Sequence, residues 1–292
     1  MKTLLQRNPV EHFIGIYTVL FSFLFTATAS LADTVYIALG SANEVIAVNP
    51  STSTITARYT GVDNPHGLTA TPDGEYLIAG SLTEKPASEP GDMRSQLFLI
   101  HPVHGHVMAT IPVIAWSHHV GITPDGRYVL STHPTKGGIS ITDLTEKRMI
   151  KTVESGAAPN YVLINSDGQR AYVSNSGEGT ISEIDIEHWS VLRVLKAGPG
   201  PEHMVFSADE QHIFVANPGT GGVSEVSIKT GEVTRRFNVG QSIHAVALSD
   251  NGKVLFISDK KGDRLVAIDL ASETQTSLGL SPAPYHLTTI RG

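Results

Sequence analysis

The chain contains no cysteine among its 292 residues. This absence excludes disulfides, thiolate metal ligands, covalent attachment of c-type haem and lipid modification of an N-terminal cysteine. Charged side chains are also sparse, at 17% of the sequence, and acidic residues outnumber basic ones by 28 to 21. Because no basic cluster offsets this acidic balance, we expect neither nucleic acid nor an anionic membrane surface as a partner.

The signatures of several enzyme classes are missing as well. The sequence has no G-x-S-x-G elbow, no H-E-x-x-H zinc motif, no Walker-type phosphate loop and no dinucleotide fingerprint. These absences argue against hydrolase and nucleotide chemistry. They do not argue against a metal oxidase, whose ligands are scattered along a chain. We therefore expect a non-enzymatic protein, with a metal-dependent oxidoreductase as an open alternative.

The sequence has one long hydrophobic run, and it lies at the N-terminus. Lys2 and Arg7 precede an apolar stretch over residues 13–29, and small residues lead up to a cleavage position after Ala32. This layout predicts a secretory signal peptide over residues 1–32. We therefore expect a periplasmic or secreted protein with no membrane insertion after cleavage; retention of the run as an N-terminal anchor is the alternative.

A four-residue turn motif recurs along the remaining chain, written Thr-Pro-Asp-Gly in its clearest copies. Successive copies are separated by 52, 42, 42 and 42 residues. Six units of this length, with one ten-residue insertion within residues 83–92, fill residues 33–292. The five copies end at Gly74, Gly126, Gly168, Glu210 and Gly252.

Each unit reads as four short strands. In one of them, apolar runs over residues 203–206, 213–217, 223–228 and 233–239 are separated by Gly, Pro, Asn or Asp. No helical periodicity appears, and four strands per repeat is typical of a propeller blade. The sequence therefore predicts an all-β, six-bladed β-propeller with four antiparallel strands per blade.

Two segments carry a resemblance to a known repeat. Residues 171–175 (AYVSN) and 213–217 (IFVAN) follow the turn motif and resemble the YVTN-type β-propeller repeat. The resemblance covers essentially all of residues 33–292 and implies that the strand before each turn motif lies innermost. The chain would then begin on a second strand, over residues 34–39, and end on an innermost one. We expect residues 286–290 to complete the first blade and to close the ring, which removes free sheet edges.

Histidine is concentrated where the innermost strands begin. Six of the twelve residues that open these strands are histidine, whereas an even spread would place about 0.5 there. Six strands that converge on one axis would gather these side chains at one mouth of the tunnel. The twelve residues are His66, Gly67, His118, His119, Asn160, Tyr161, Glu202, His203, His244, Ala245, Tyr285 and His286.

Converging imidazoles with one carboxylate and no thiols suit zinc or copper(II). The resemblance points the same way, because some propellers similar to this one hold copper or zinc through axial histidines. We predict metal ligands among His66, His118, His119, His203, His244, His286 and Glu202. The first residue of each pair would form one layer, and the second a neighbouring layer or the opposite strand face. Structural histidines in a water-filled tunnel, and a ring that cradles an organic anion or cofactor, stay open.

These features favour a periplasmic protein that carries, buffers or presents zinc or copper, with the metal ion as its partner and a periplasmic protein as a further one. The alternative is a protein-interaction scaffold with structural histidines. A second histidine group, His101, His104 and His106, falls in a turn and is interpreted as solvated. His133 is interpreted either as an outer ligand or gate, or as a turn cap. The insertion is either a lid over the site or a tolerated surface loop.

Overall fold

The computed structural model describes residues 34–86, 93–240 and 242–280. Their secondary structure is all β apart from one 3₁₀ turn, Gly40–Ala42. The expected six-bladed architecture is confirmed, with blades of four antiparallel strands in a ring. None of the helices in the described ranges is long and apolar enough to cross a membrane. The signal peptide expected over residues 1–32 lies outside the described residues.

The strands of the first three blades follow in chain order. Blade 1 contains β1 (Val35–Leu39), β2 (Glu44–Asn49) and β3 (Thr54–Thr60). Blade 2 contains β4 (Pro65–Ala70), β5 (Leu77–Ser81), β7 (Met93–His101) and β8 (His106–Val113), and the short strand β6 (Lys85–Pro86) pairs with β7. Blade 3 contains β9 (Val120–Ile122), β10 (Tyr128–His133), β11 (Gly138–Asp143) and β12 (Arg148–Glu154).

The last three blades are regular. Blade 4 contains β13 (Pro159–Ile164), β14 (Arg170–Asn175), β15 (Thr180–Asp185) and β16 (Ser190–Lys196). Blade 5 contains β17 (Met204–Phe206), β18 (His212–Asn217), β19 (Gly222–Ser227) and β20 (Val233–Asn238). Blade 6 contains β21 (Ile243–Leu248), β22 (Val254–Asp259), β23 (Arg264–Asp269) and β24 (Gln275–Gly279).

The hydrophobic core lies between consecutive blades. One cluster joins Leu130 and Ile141 of blade 3 to Val173 and Ile184 of blade 4, and similar clusters join the other consecutive blades from 1 to 6. The two middle strands of a blade are therefore covered on both faces, which explains their continuous runs of apolar and small residues. Outer strands such as β16 are largely exposed.

The innermost strands surround the axis. β4 contacts β9, β9 contacts β13, β13 contacts β17, and β17 contacts β21. Blade 1 has three strands among the described residues, and the segment expected to complete it, residues 286–290, lies outside them. The consequence for the site is that five strand openings meet around one tunnel mouth.

Candidate metal centre

A β-bulge opens the innermost strands. In β4, Pro65 pairs with Ser81 and Leu68 with Ala79, so His66 and Gly67 together face one residue of β5. The same register shift occurs in β13 and β21. A bulge adds a residue to one strand and re-aims its side chains. Both opening residues can therefore be directed to the tunnel mouth, which strict alternation would prevent.

Backbone hydrogen bonds show the same arrangement in blade 3. The N–H of His118 donates to the carbonyl of Thr132 at 3.0 Å, and the N–H of Thr132 donates to the carbonyl of His119 at 3.0 Å. In blade 5, the N–H of Glu202 donates to the carbonyl of Ala216, and the N–H of Ala216 donates to the carbonyl of His203, both at 2.9 Å. His244 in β21 therefore takes the same position as His66 in β4.

Five of the six predicted histidines form one continuous cluster. Ring centroids are 4.7 Å apart for His66 and His118, 4.5 Å for His118 and His119, 4.6 Å for His119 and His203, and 4.5 Å for His203 and His244. The rings of His118 and His119 are thus neighbours, which agrees with the expected neighbouring layers and not with the alternative of opposite strand faces. His286 lies outside the described residues.

Three of these histidines are close enough to share an ion. Ligand nitrogens of His66, His118 and His119 all lie within 4.8 Å of one another, and theirs is the metal-compatible group found in the described part of the chain. His119 is buried, whereas His66 and His118 are partly exposed. Zinc–imidazole bonds are 2.0–2.1 Å long, so two nitrogens bound to one zinc ion lie no more than about 4.2 Å apart, which is close to the separation within this triad.

Gly67 makes this close approach possible. A Cβ atom at Gly67 would lie 2.7 Å from the carbonyl oxygen of His118 and 2.8 Å from the Cα of His119. These distances are shorter than van der Waals contact, so a larger residue would push β9 away from β4. Because Gly67 has no side chain, the backbone of His118 and His119 can lie against the strand that carries His66.

The surroundings keep the cluster suited to a cation. Burial lowers the pKa of His66, which favours the neutral imidazole that binds metals. Nδ1 of His118 faces the carbonyl oxygen of Asn160 at 3.4 Å, a long contact of the kind that orients ligand histidines. Thr132 connects blade 3 to blade 4, because its hydroxyl accepts a hydrogen bond from the N–H of His119 at 3.0 Å and donates one to the Asn160 carbonyl at 2.8 Å.

Glu202, His203 and His244 extend the cluster away from the triad. An oxygen of the Glu202 carboxylate lies 3.9 Å from Nε2 of His244. Burial raises the pKa of this carboxyl group, and the charge of Lys260 partly opposes the shift. Tyr161 fills the space beside the rings of His119 and His203, at centroid distances of 4.9 and 4.7 Å. The predicted ligand set therefore divides into a compact triad and a flanking group.

Trp116 is a neighbour that the sequence analysis missed. Its ring lies 5.6 Å from that of His118, at an interplanar angle of 73°. The available signal was its position two residues before the histidine pair, in a chain with two tryptophans. The repeat gave no such indication, because other units lack an aromatic residue there.

The remaining histidines lie elsewhere. His101 ends β7, His104 lies in the turn and His106 begins β8, so the group lies at this turn as expected, and the rings of His101 and His104 stack at 4.0 Å. His133 is fully buried, with Nδ1 3.1 Å from the Trp116 carbonyl oxygen and Nε2 2.8 Å from the Ser140 hydroxyl. Both of its ring nitrogens are thus bonded within the protein, and it is neither a gate nor an outer ligand in this arrangement.

Two solved structures resemble the whole propeller. Kuenenia stuttgartiensis hydrazine synthase aligns with a TM-score of 0.76 and 18% identity, over 88% of this chain and 86% of that one. A functionally unknown protein from Desulfotomaculum acetoxidans DSM 771 aligns with a TM-score of 0.70 and 16% identity, over 84% and 81%. At these identities the likeness concerns the fold alone. No curated protein matches the sequence.

A family profile matches the C-terminal part. The family described as "Lactonase, 7-bladed beta-propeller" matches residues 128–290, so a propeller family is supported whereas the YVTN-type label is not confirmed. The family description gives seven blades, and this chain has six because its 42-residue units fill residues 33–292 only six times. The matched segment is more than half of the chain, and the protein therefore belongs to this lactonase-type β-propeller family.

Proposed function

We propose that this protein is a periplasmic metal-binding propeller that carries, buffers or presents zinc or copper at the mouth of its tunnel. The observation that carries the proposal is the triad His66, His118 and His119, whose ligand nitrogens lie within 4.8 Å of one another. Glu202, His203 and His244 flank it, and the expected His286 would add a further imidazole.

The donor set supports a borderline transition metal. Neutral imidazoles bind zinc and copper(II) well, whereas magnesium and calcium prefer oxygen ligands. The partial exposure of His66 and His118 leaves an approach from solvent, which a carrier needs in order to exchange its ion. A protein-interaction scaffold with structural histidines is the function that remains if no metal binds.

Calorimetric titration with zinc and copper(II) tests the proposal. We expect the parent protein to bind one ion more tightly than micromolar, and the double variant His66→Ala/His118→Ala to bind at least about 100-fold more weakly. The matched control replaces His101, His104 and His106 with alanine. This control removes more histidines than the test variant but leaves the triad intact, so its affinity should equal that of the parent.

Two results would contradict the proposal. In one, the triad variant binds as tightly as the parent while circular dichroism shows both to be folded. In the other, neither metal binds the parent more tightly than micromolar. The second result would favour the scaffold.

The family match favours a second candidate, a metal-dependent hydrolase of lactones. Three histidines leave a coordination position for water, as in catalytic zinc sites, and a bound zinc ion would lower the pKa of that water. Zinc-loaded parent protein would then hydrolyse simple lactones, measured as acid release at constant pH, and the His66→Ala/His118→Ala variant would not. Equal rates for the two proteins would exclude this candidate.

A further inference from the structure

Trp116 is fixed by three hydrogen bonds to two parts of the chain, the segment after β5 and the end of β10 with the turn that follows it. Its backbone N–H donates to Oε1 of Glu84 at 2.9 Å, and its indole N–H donates to the Thr135 hydroxyl at 3.1 Å. Its carbonyl oxygen lies 3.1 Å from Nδ1 of His133. The indole ring, held in this way, meets the ring of His118 at 73°. A residue outside the triad therefore packs against the ring of one triad histidine.

Glu84 belongs to the ten-residue insertion that distinguishes blade 2 from the other blades. Its neighbours are anchored on both sides, because the Thr83 hydroxyl donates to Asp63 at 3.1 Å and Lys85 forms an ion pair with Asp63 at 3.1 Å. Lys85 also pairs with Arg94 in the sheet. Glu84 is half-buried, and the residues on both sides of it contact Asp63.

We propose that Glu84 is a positioning residue of the histidine cluster. Its carboxylate holds the Trp116 backbone, Trp116 holds the ring plane of His118, and the indole limits solvent access to the partly exposed side of the triad. The consequence for metal retention rests on the proposed function, whereas the effect on His118 does not. Glu84 would thus slow release of the ion, because the residues around a metal site control ligand orientation and solvent access.

The test compares three variants. Glu84→Ala removes the acceptor, Glu84→Gln keeps a carbonyl oxygen in its place, and Glu178→Ala is the matched control. Glu178 accepts the backbone N–H of Ala157 at 2.9 Å, which is the same kind of bond in the segment before the innermost strand of blade 4. Melting temperatures confirm that each variant is folded.

Two readouts separate positioning from metal binding. The first is the Cε1–H proton resonance of His118 in metal-free protein, assigned with His118→Gln, because the ring current of Trp116 acts on this proton. The second is the rate of zinc release into excess chromophoric chelator. We expect Glu84→Ala to move the resonance and to speed release about tenfold, Glu84→Gln to restore most of both, and Glu178→Ala to change neither.

The proposal is overturned if the His118 resonance of Glu84→Ala coincides with that of the parent, or if the resonance moves while zinc release is unchanged. If neither the parent nor any variant binds zinc, but the His118 resonance still moves in Glu84→Ala, the positioning role stands and the proposed metal function fails. The two failures are therefore distinguishable.

Discussion

His133 shows how one buried side chain supports the mouth of the propeller. It ends β10 and connects Ser140 of the third strand to the Trp116 carbonyl in the segment before the innermost strand. Asn175, the corresponding residue of blade 4, bonds the equivalent serine, Ser182, at 3.0 Å and the backbone carbonyl of Ser155, in the segment before its innermost strand, at 3.1 Å. The position therefore requires a polar residue that can form hydrogen bonds on two sides. In blade 3 this residue is His133, which is titratable.

The titration of His133 predicts a pH-dependent loss of stability. Burial lowers the pKa of His133 from 6.5 to about 4. Between these two pH values His133 is therefore protonated in the unfolded chain but neutral in the folded protein. The free energy of unfolding is therefore unaffected by this group above pH 6.5 and falls as the pH drops towards 4, by about 3 kcal/mol in all.

Replacing His133 with asparagine should flatten this dependence. We expect denaturant unfolding of His133→Asn to show a smaller fall in the free energy of unfolding between pH 6.5 and 4 than the parent shows, because asparagine does not titrate. Near pH 7.5 the variant should lie within about 2 kcal/mol of the parent, since the residue can keep both bonds. Parallel profiles for the two proteins would show that His133 is not the titrating group.

At the scale of the element, the turn after each innermost strand carries a second test. The last residue of the motif has a positive φ in all five copies, and it is glycine in four of them; Glu210 takes the same conformation at φ 52°. An L-residue is disfavoured in this region by about 1–2 kcal/mol. The carboxylate of Glu210 accepts bonds from Ser166 at 3.1–3.2 Å, but these are exposed and offset little of that cost.

We therefore expect Glu210→Gly to raise the free energy of unfolding by about 1 kcal/mol, measured by urea denaturation. The matched control is Gly168→Ala, which should lower it, since a Cβ there would also lie 3.2 Å from Cδ of Pro124. A less stable Glu210→Gly variant would mean that the bonds to Ser166 outweigh the backbone strain.

The strands were predictable from the sequence because every repeat has the same order of apolar runs and turn residues. The enrichment of histidine at the strand openings was visible because those openings recur at the same place in each repeat. The merging of both histidine columns into one cluster was not predictable. It follows from the bulge that sets His66 and Gly67 against one residue of β5, and a bulge depends on pairing register, which a sequence pattern does not fix. The Glu84 to Trp116 bond was not predictable either, because Glu84 lies in an insertion that the other units lack and no other unit has an aromatic residue at the Trp116 position.

At the scale of the whole molecule, stability comes from cores shared between consecutive blades, so each blade depends on its neighbours. Blade 1 differs from the rest. Among the described residues β1 pairs with β2 alone, and its side chains are partly exposed, with Ile37 at 40%, whereas the corresponding strands β5 and β14 are almost entirely buried. A further strand beside β1 would cover this surface.

The sequence predicts that residues 286–290 provide that strand. Deleting residues 284–292 should therefore lower the melting temperature by about 10 °C or more, because one blade loses its innermost strand and the ring its closure. Differential scanning calorimetry of the truncated and full chains measures the change. Unchanged melting would show that the first blade is completed in another way.

A transition metal bound at the tunnel mouth through His66, His118 and His119 would be visible in a crystal. The experiment is anomalous diffraction at the zinc edge, from crystals grown with one equivalent of zinc. We predict one strong peak about 2.0–2.1 Å from a ring nitrogen of each of these histidines. No peak at the tunnel mouth, or a peak confined to the exposed turn of His101, His104 and His106, would contradict the claim.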